Sequence, residues 1–399
     1  MSELYPVIFA LAFVALLGLA SILFLRVLNR PWWSHRWVRI LSYLIPFLGG
    51  ICVVLWASGM KTDSRILLGI GATGAAFTVV IEIALLLSLP VSGVVHIAAS
   101  IVRWFKKSMQ VKSSPDPQRR LILKAAAAMF PLVAVSTGVG GVARSFGDVD
   151  IPVKTLYYPD LPDTLDGLKI LQISDSHLGF YVVLDDLEKL LTEAATYKPD
   201  LVLLTGDIAD DIRVLTNALN LITQLKPPLG VFACLGNHEY YRGIKKVRET
   251  YDKCPIPLLV NDGVTVDVGG APLYIAGADD PRWMRGNNDE FLRNTVEQSL
   301  LNAPDNAFKI LMSHRPGAFD FAADNDVRLT LAGHTHGGQI GMGGRSFFDY
   351  VLPYKYLWGH YAKDNGSQLY TSSGIGHWFP FRLGCPPEAP LFVLKQGEG

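Results

Sequence analysis

The chain has 399 residues, half of them hydrophobic, with 36 Lys/Arg balanced by 36 Asp/Glu, long enough for more than one domain and a large core. The balance hides an asymmetry: residues 1–150 carry 14 Lys/Arg against 6 Asp/Glu, net +8, and residues 151–399 carry 22 against 30, net −8. The basic excess lies between apolar runs, which points to membrane topology, and an acidic second half is poorly suited to a polyanion, so no nucleic-acid partner is expected.

Residues 4–25 are apolar without a charge, residues 40–60 repeat the pattern, and residues 66–89 do so again with Glu82 as the one interruption. Residues 125–143 form a fourth, weaker run rich in Ala, Gly and Val. A spanning helix needs roughly 20 apolar residues, so an N-terminal α-helical transmembrane region of about four helices is expected over 1–143. The third run continues past Pro90 to Val102; it either projects from the membrane as one long helix or breaks at Pro90–Gly93. The segment from Arg26 to Arg39 holds four Arg and that from Arg103 to Lys124 seven Lys/Arg, whereas the loop at 61–65 has only Lys61 and Arg65, offset by Asp63. Cytoplasmic loops carry the Lys/Arg excess. Four spans then place both termini, and the second half of the chain, outside the cytoplasm.

The run Gln118-Arg119-Arg120-Leu121-Ile122-Leu123-Lys124 ahead of an apolar stretch resembles a twin-arginine export signal; the plainer reading, a basic flank before a membrane helix, sends the downstream chain the same way. Glu82 and His96 are the polar residues inside the long run. An intramembrane carboxylate is a functional hypothesis by default, but one isolated Glu is a thin basis for a transporter, and pairing within the bundle is the expectation.

A linker with Gly147, Pro152 and Pro159 is expected over 144–160, and a second domain over 161–399. There strand-like runs alternate with helix-like ones: Leu168–Ile173, Asp185–Thr196, Leu201–Leu204, Val214–Leu225 and Val231–Cys234. A hairpin at Val264–Val268 and Leu273–Ala276 comes next, then strands at Phe308–Met312 and Val327–Leu331. Segments near Gln368–Thr371 and Leu391–Leu394 should complete a second sheet. Such alternation argues for a layered α/β domain. Cys52, Cys234, Cys254 and Cys385 lie far apart with no C-x-x-C pair; free, mostly buried thiols are expected, with a Cys254–Cys385 bridge as the alternative.

Chemistry gathers in five short motifs: Asp175-Ser176-His177, Gly206-Asp207-Ile208-Ala209-Asp210, Gly236-Asn237-His238-Glu239, Ser313-His314 and Gly333-His334-Thr335-His336. Carboxylates, imidazoles and an amide suit borderline divalent cations. Most of the motifs come directly after an apolar run, and the first three are about one strand–helix repeat apart, so neighbouring strands deliver them to one edge.

The set resembles the calcineurin-like metallophosphoesterase superfamily, whose signature runs D-x-H, G-D-x-x-D, G-N-H-[DE], H and G-H-x-H. All five blocks are present without substitution at the metal-binding positions. Gly333–Gln339, Ser373-Gly374-Ile375-Gly376 and Arg382–Glu388 resemble its membrane-associated or exported bacterial subgroup. The resemblance covers about residues 153–396 and implies an α/β four-layer (α-β-β-α) sandwich. It further implies that Asp175, His177 and His336 hold one metal, that Asn237, His314 and His334 hold a second, and that Asp207 bridges them. The metals implied are two divalent ions, Mn, Zn or Fe. Two such cations lower the pKa of a bound water and neutralise charge on a phosphoryl group. The resemblance also implies that His238 assists the leaving oxygen, and Asp210 is expected to orient a ligand from behind.

The expected activity is hydrolysis of phosphate mono- or diester or pyrophosphate bonds by a membrane-anchored, metal-dependent phosphoesterase of the bacterial cytoplasmic membrane. Aromatic stretches at Trp283-Met284, Tyr354 to Trp358 and Trp378 to Phe381 either pack on the domain itself or touch the bilayer or an acyl chain; the latter makes a lipid-linked ester a candidate substrate. Arg315 and Arg382 are candidates for holding a phosphate or sugar. A non-catalytic metal or phosphate sensor, and a transporter with a regulatory soluble domain, are the alternatives in other classes.

Overall fold

The apolar runs at the start of the chain fold as helices: α1 (Leu4–Leu28), the one-turn α2 (Arg30–Trp33), α3 (Arg36–Thr62), α4 (Arg65–Ser108) and α5 (Pro117–Ser145). The computed structural model describes residues 4–62, 64–108, 117–179, 181–280, 288–351, 355–377 and 379–398. It divides into two units, Met1–Arg144 with Phe379–Phe381, and Ser145–Trp378 with Arg382–Gly399.

Among the described residues of the first unit, three stretches are long and apolar enough to cross a membrane: Val7–Leu28, Arg36–Thr62 and Ile66–Pro90. The fourth expected span, 125–143, is helical within α5 but is not one of them. It belongs to the least apolar of the long helices, and the side chains of 125–128 lie outside those described. The third run does not break at Pro90–Gly93: α4 runs unbroken for 44 residues with Pro90 inside it. At 1.5 Å per residue that is about 66 Å, more than twice a hydrocarbon core of roughly 30 Å.

α1, α3 and α4 approach closely through small residues. A Cβ on Gly49 would overlap Thr78, and one on Gly71 would overlap the backbone of Trp56. Between helices in lipid, such packing supplies the attraction that hydrophobic burial cannot. Glu82 is buried in this bundle, but its Oε2 has no hydrogen-bond partner. The side chains of His96, Arg119 and Arg120 lie outside the described residues.

The second unit runs β1 (Val153–Tyr158), β2 (Lys169–Ile173), α6 (Leu184–Thr196), β3 (Leu201–Thr205), α7 (Ile212–Thr223), β4 (Val231–Cys234) and α8 (Asn237–Tyr251). It continues with β5 (Asp262–Val268), β6 (Ala271–Gly277), α9 (Asn288–Ser299), β7 (Phe308–Met312), α10 (Ala318–Asp324) and β8 (Leu329–Ala332). The small hairpin β9 (Gly341–Met342) and β10 (Arg345–Ser346) then precedes β11 (Gly359–Ala362), β12 (Gln368–Thr371) and β13 (Leu391–Gln396).

One sheet has the order β1-β13-β2-β3-β4 and the other β11-β12-β8-β7-β6-β5. Two expectations are corrected here. Val153–Tyr158, assigned to the linker, is strand β1 and pairs in parallel with β13. Leu391–Leu394, expected in the second sheet, instead lies in β13 of the first, antiparallel to β2. Sheet membership depends on pairings between residues far apart in the chain, which local periodicity does not encode.

Alternation along the strands builds the layers. Leu171, Ile173, Val202 and Leu204 face a core that also contains Leu187, Leu190, Leu215 and Leu219 of α6 and α7. Ile170, Leu201, Leu203 and Phe232 point the other way, to meet Ile275, Ile310, Met312 and Leu331 between the sheets. Tyr274, Ala276 and Leu311 pack beyond the second sheet with Leu292 and Val296 of α9 and Ala318 and Ala322 of α10. A period of two on each strand thus gives the four-layer α-β-β-α order. Gln172, fully buried, donates to Thr205 Oγ1 and to Ala332 O at 2.9 Å each, which links the two sheets by hydrogen bonds. The four cysteines are free.

Candidate metal centre

Five parallel strands end at one edge of the sandwich, and each expected motif begins there. Asp175 comes after β2, Asp207 after β3, Asn237 after β4, His314 after β7 and His334 after β8. The backbone must turn sharply to aim short side chains at a common point. Asp175, His177, Asp207, His334 and His336 accordingly adopt left-handed φ between 45° and 70°. Each such non-glycine residue costs roughly 1 kcal/mol or more, and clusters of this kind mark functional sites.

The glycines inside the motifs let these turns touch. Gly206 has φ +86°, and a Cβ there would run into the Gly236 backbone. A Cβ on Gly333 would overlap Asp175 and Ser174.

The convergence is close. His177 Nε2 and His336 Nε2 face each other at 3.1 Å, and His336 Nε2 is 3.4 Å from Asp175 Oδ1. His314 Nε2 lies 3.1 Å from Asp207 Oδ2, 3.2 Å from Asn237 Oδ1 and 3.2 Å from His334 Nδ1. Asp207 reaches both groups, since its Oδ2 is also 3.8 Å from His177 Nε2. Among the described residues three triads, Asp175–His177–His336, His177–Asp207–His238 and Asp207–His314–His334, each present one ligand atom per residue within 4.8 Å of the others. Asp175, His177, Asp207, Asn237, His314 and His336 are all buried.

Around these side chains the backbone holds them still. Asp175 accepts from His334 N at 3.0 and 3.1 Å and from the Ser174 hydroxyl. His238 N donates to Asp207 Oδ1 at 2.8 Å. Glu239, the last residue of its motif, accepts from Gly236 N, Asp207 N and Ile208 N at 2.8–2.9 Å and so locks two motifs together. His314 Nδ1 lies 2.8 Å from Thr205 O; a carbonyl only accepts, so Nδ1 carries a proton and Nε2 is the nitrogen turned toward the ligand set.

Charge is concentrated here. Burial disfavours a charged His314, yet Asp207 and Asp175 outweigh it and hold the imidazole up at about 10. Burial likewise opposes His177, but Asp210, Asp207 and Asp175 raise it to about 9. Burial raises Asp207, and His314, His177 and His238 more than reverse this, so it stays ionised well below the usual carboxylate range. His334 and His336 go the other way, held neutral first by burial and then by His314 and His177 respectively.

Asp210 sits behind the ligands. Its Oδ1 is 2.5 Å from His238 Nδ1 and 3.1 Å from Arg242 Nη2. Its Oδ2 is 3.4 Å from His177 Nδ1, an ion-pair distance rather than an aligned hydrogen bond. His238 is part exposed beside the buried set. Arg315 Nε donates to Asp280 Oδ2 at 2.8 Å and its Nη1 to His334 Nε2 at 2.8 Å.

Arg382 does not suit the phosphate or sugar role offered for it. It is buried, and its guanidinium donates to the carbonyls of Ser373, Gly374 and Gly376. Of the aromatic stretches, Trp358 is buried with Nε1 on Glu388, and Tyr356 donates to Asp320. Trp283, Met284, Tyr354 and Trp378 lie outside the described residues. Sequence reasoning misses the roles of Asp280 and Glu239; only the acidic residue closing the Gly-Asn-His-Glu motif offers a signal.

The family model for calcineurin-like phosphoesterases matches residues 168–338. The chain is similar to the uncharacterized metallophosphoesterase YkuE of Bacillus subtilis, 31% identical over 70% of this chain and 98% of that protein. It is similar to the uncharacterized metallophosphoesterase Cj0846 of Campylobacter jejuni, 31% identical over 59% of this chain and 61% of that protein. A transmembrane protein with a metallophosphoesterase domain from Danio rerio is 29% identical over 62% of this chain and 57% of its own length. The chain spans less than two thirds of the latter two. Membership in this family carries dependence on divalent metal ions and a phosphate-ester substrate, and the apolar helices carry association with a lipid bilayer. The chain belongs to the calcineurin-like metallophosphoesterases and is a metal-dependent phosphoesterase.

Proposed function

We propose that this protein is a membrane-anchored phosphoesterase with a dinuclear metal site. Asp175, His177 and His336 hold one divalent cation, Asn237, His314 and His334 the other, and Asp207 lies between them. The observation that carries this reading is the facing of imidazole nitrogens inside a buried pocket. They stand 3.1 and 3.2 Å apart in two places, each beside a carboxylate oxygen. Imidazole nitrogens and carboxylate oxygens gathered this closely in buried surroundings suit a cation held among them, and a mixed nitrogen and oxygen donor set fits Mn, Zn or Fe. Two cations bound there supply Lewis acidity to the phosphoryl oxygens and lower the pKa of a water near neutral pH.

The chain's own residues do the rest. Asp210 fixes His238 through Nδ1, which leaves Nε2 to present a proton to the departing oxygen. Arg315, buried and anchored on Asp280, donates through Nη1 to His334 Nε2 and so turns the Nδ1 of that imidazole toward the ligand set. Asp207→Asn tests the assignment. Metal-dependent turnover of phosphate esters should vanish while the domain stays folded; full activity in that variant would sink it.

With the three apolar spans alone, the basic first and third loops put the domain inside the cytoplasm. It lies outside the cytoplasmic membrane of a bacterium if α5 crosses the bilayer as a fourth span, since the same loops then face the cytoplasm and the chain emerges on the far side. Protease added to intact spheroplasts should then digest the second unit, and protection would reverse the topology. A lipid-linked ester is the preferred substrate on account of the membrane helices. Assays of the Mn-loaded protein on extracted phospholipids beside soluble diesters decide this, with activity confined to the soluble set removing the lipid.

A further inference from the structure

Between the turn that carries His336 and strand β11 lies a segment the metal centre does not use. β9 and β10 form a hairpin in which Met342 pairs with Arg345 across Gly343 and Gly344, both at positive φ. A short helical turn, Phe347–Tyr350, follows. Two strands this short have no stability of their own, so the segment is held from behind. Phe347 N donates to Ile340 O at 2.8 Å, and a Cβ on Gly338 would overlap the Phe348 ring. Arg345 Nη2 donates to His360 O at 3.2 Å, and its guanidinium lies 4.7 Å over the Tyr361 ring.

A segment anchored in this way turns its other apolar groups outward. Met342 and Tyr350 are each 61% exposed, Val351 56% and Phe347 42%. Outside it, among the described residues, no ten-residue stretch of the second unit holds more than two exposed large apolar side chains. Single exposed apolar residues are ordinary, whereas a group of them marks a surface that meets something.

Two observations choose the occupant. Four side chains fall far short of the roughly 20–30 residues a side that a stable protein interface uses, so neither a free protein nor a second copy would be retained here. A bilayer need not be captured, because three helices of this same chain are long and apolar enough to cross one. A tethered surface is met at an effective concentration of roughly millimolar, where a small contact suffices. The chemistry suits the boundary between headgroups and acyl chains: aromatic and aliphatic groups to enter it, and the exposed Arg345 to meet phosphate.

We propose that Met342, Phe347, Tyr350 and Val351 rest in the headgroup region of the bilayer, with Arg345 at the depth of the lipid phosphates. Phe348 packs on Gly338, two residues past His336, so this contact holds a turn of the metal centre at the membrane surface. The assignment does not rest on the phosphoesterase reading, since contact with lipid requires neither metal nor turnover.

The test is photo-crosslinking of the full-length protein reconstituted in vesicles of phosphatidylethanolamine and phosphatidylglycerol. p-Benzoylphenylalanine replaces Tyr350 in one preparation, Met342 in a second and Leu301 in a third, Leu301 being a lone exposed apolar residue just beyond α9. Mass spectrometry should find phospholipid attached at positions 350 and 342 in several-fold higher yield than at 301. Tyr350→Asp combined with Val351→Asp should cut the labelling at position 342 several-fold with the melting temperature unchanged, because carboxylates resist entry into the apolar boundary. Yields at 350 and 342 no higher than at 301, attachment to another copy of the chain in place of lipid, or labelling at 342 that the double variant does not reduce overturns the proposal. Lipid attachment by a protein that hydrolyses no phosphate ester leaves this surface standing and sinks the phosphoesterase reading instead.

Discussion

Asn237 and His238 are neighbours in sequence with different surroundings, one buried against His314 and the other part exposed and held by Asp210. Replacing His238 with Ala should therefore lower turnover by about 100-fold or more, the usual worth of a positioned proton donor, with bound metal unchanged by elemental analysis. Loss of metal in that variant would move His238 into the ligand set. Glu239 does a different job, since three backbone N–H groups end on its carboxylate. Glu239→Ala strands buried donors and should cost about 3 kcal/mol or more of stability, read as a fall in melting temperature. At this scale the residue types and spacing are legible in the sequence, and the structure brings the seven expected ligands together. The left-handed backbone at Asp175, His177, Asp207, His334 and His336 is not, because those residue types carry no propensity that announces it. Nor is the fate of Arg382, whose charge suggests a ligand but whose guanidinium donates to three nearby carbonyls and lies 3.4 Å from His336 Nδ1.

β4, β7 and β12 lie where the sequence reading places them, each a short stretch buried along nearly all its length. β1 is hidden from such reasoning: its pattern is mostly exposed, and its partner lies in the last sheet strand of the chain. α8 is equally hard to see. It starts on the expected ligand Asn237, carries charges along most of its length, and is bent at Gly243, where φ is +112°. Close strand-end packing gives a sharp prediction at Gly206. Gly206→Ala forces a side chain onto positive φ and into the Gly236 backbone, and should cost more than about 1–2 kcal/mol, with reduced metal affinity measurable by competition with a chelator. β13 lies between β1 and β2, so a stop codon at Leu391 removes an interior strand. That truncation should leave no cooperative unfolding transition, although every ligand residue is still present.

The charge asymmetry separates two units with different solvents, a helical one built on lipid-compatible packing and an α/β one built on water-driven burial. The expected ligand residues follow strands of both sheets, so the cations proposed there would tie the second unit together across its layers. Ligand that binds only the folded state stabilises it by about 2.7 kcal/mol at 100 times its Kd, so stripping the metal should lower the melting temperature of this unit by several degrees, and Mn should restore it. An unchanged melting curve after complete metal removal would count against cations bridging the two sheets. The position of β13 has a further consequence for the timing of assembly. Val153 pairs with Leu391 and Leu171 pairs with the same residue from the other side, so the first sheet cannot close until residues 391–396 have left the ribosome. Contacts this distant in sequence slow folding. The growing chain therefore carries an unclosed sheet behind inserted helices, and whichever compartment receives those residues is the one in which the metal site is born.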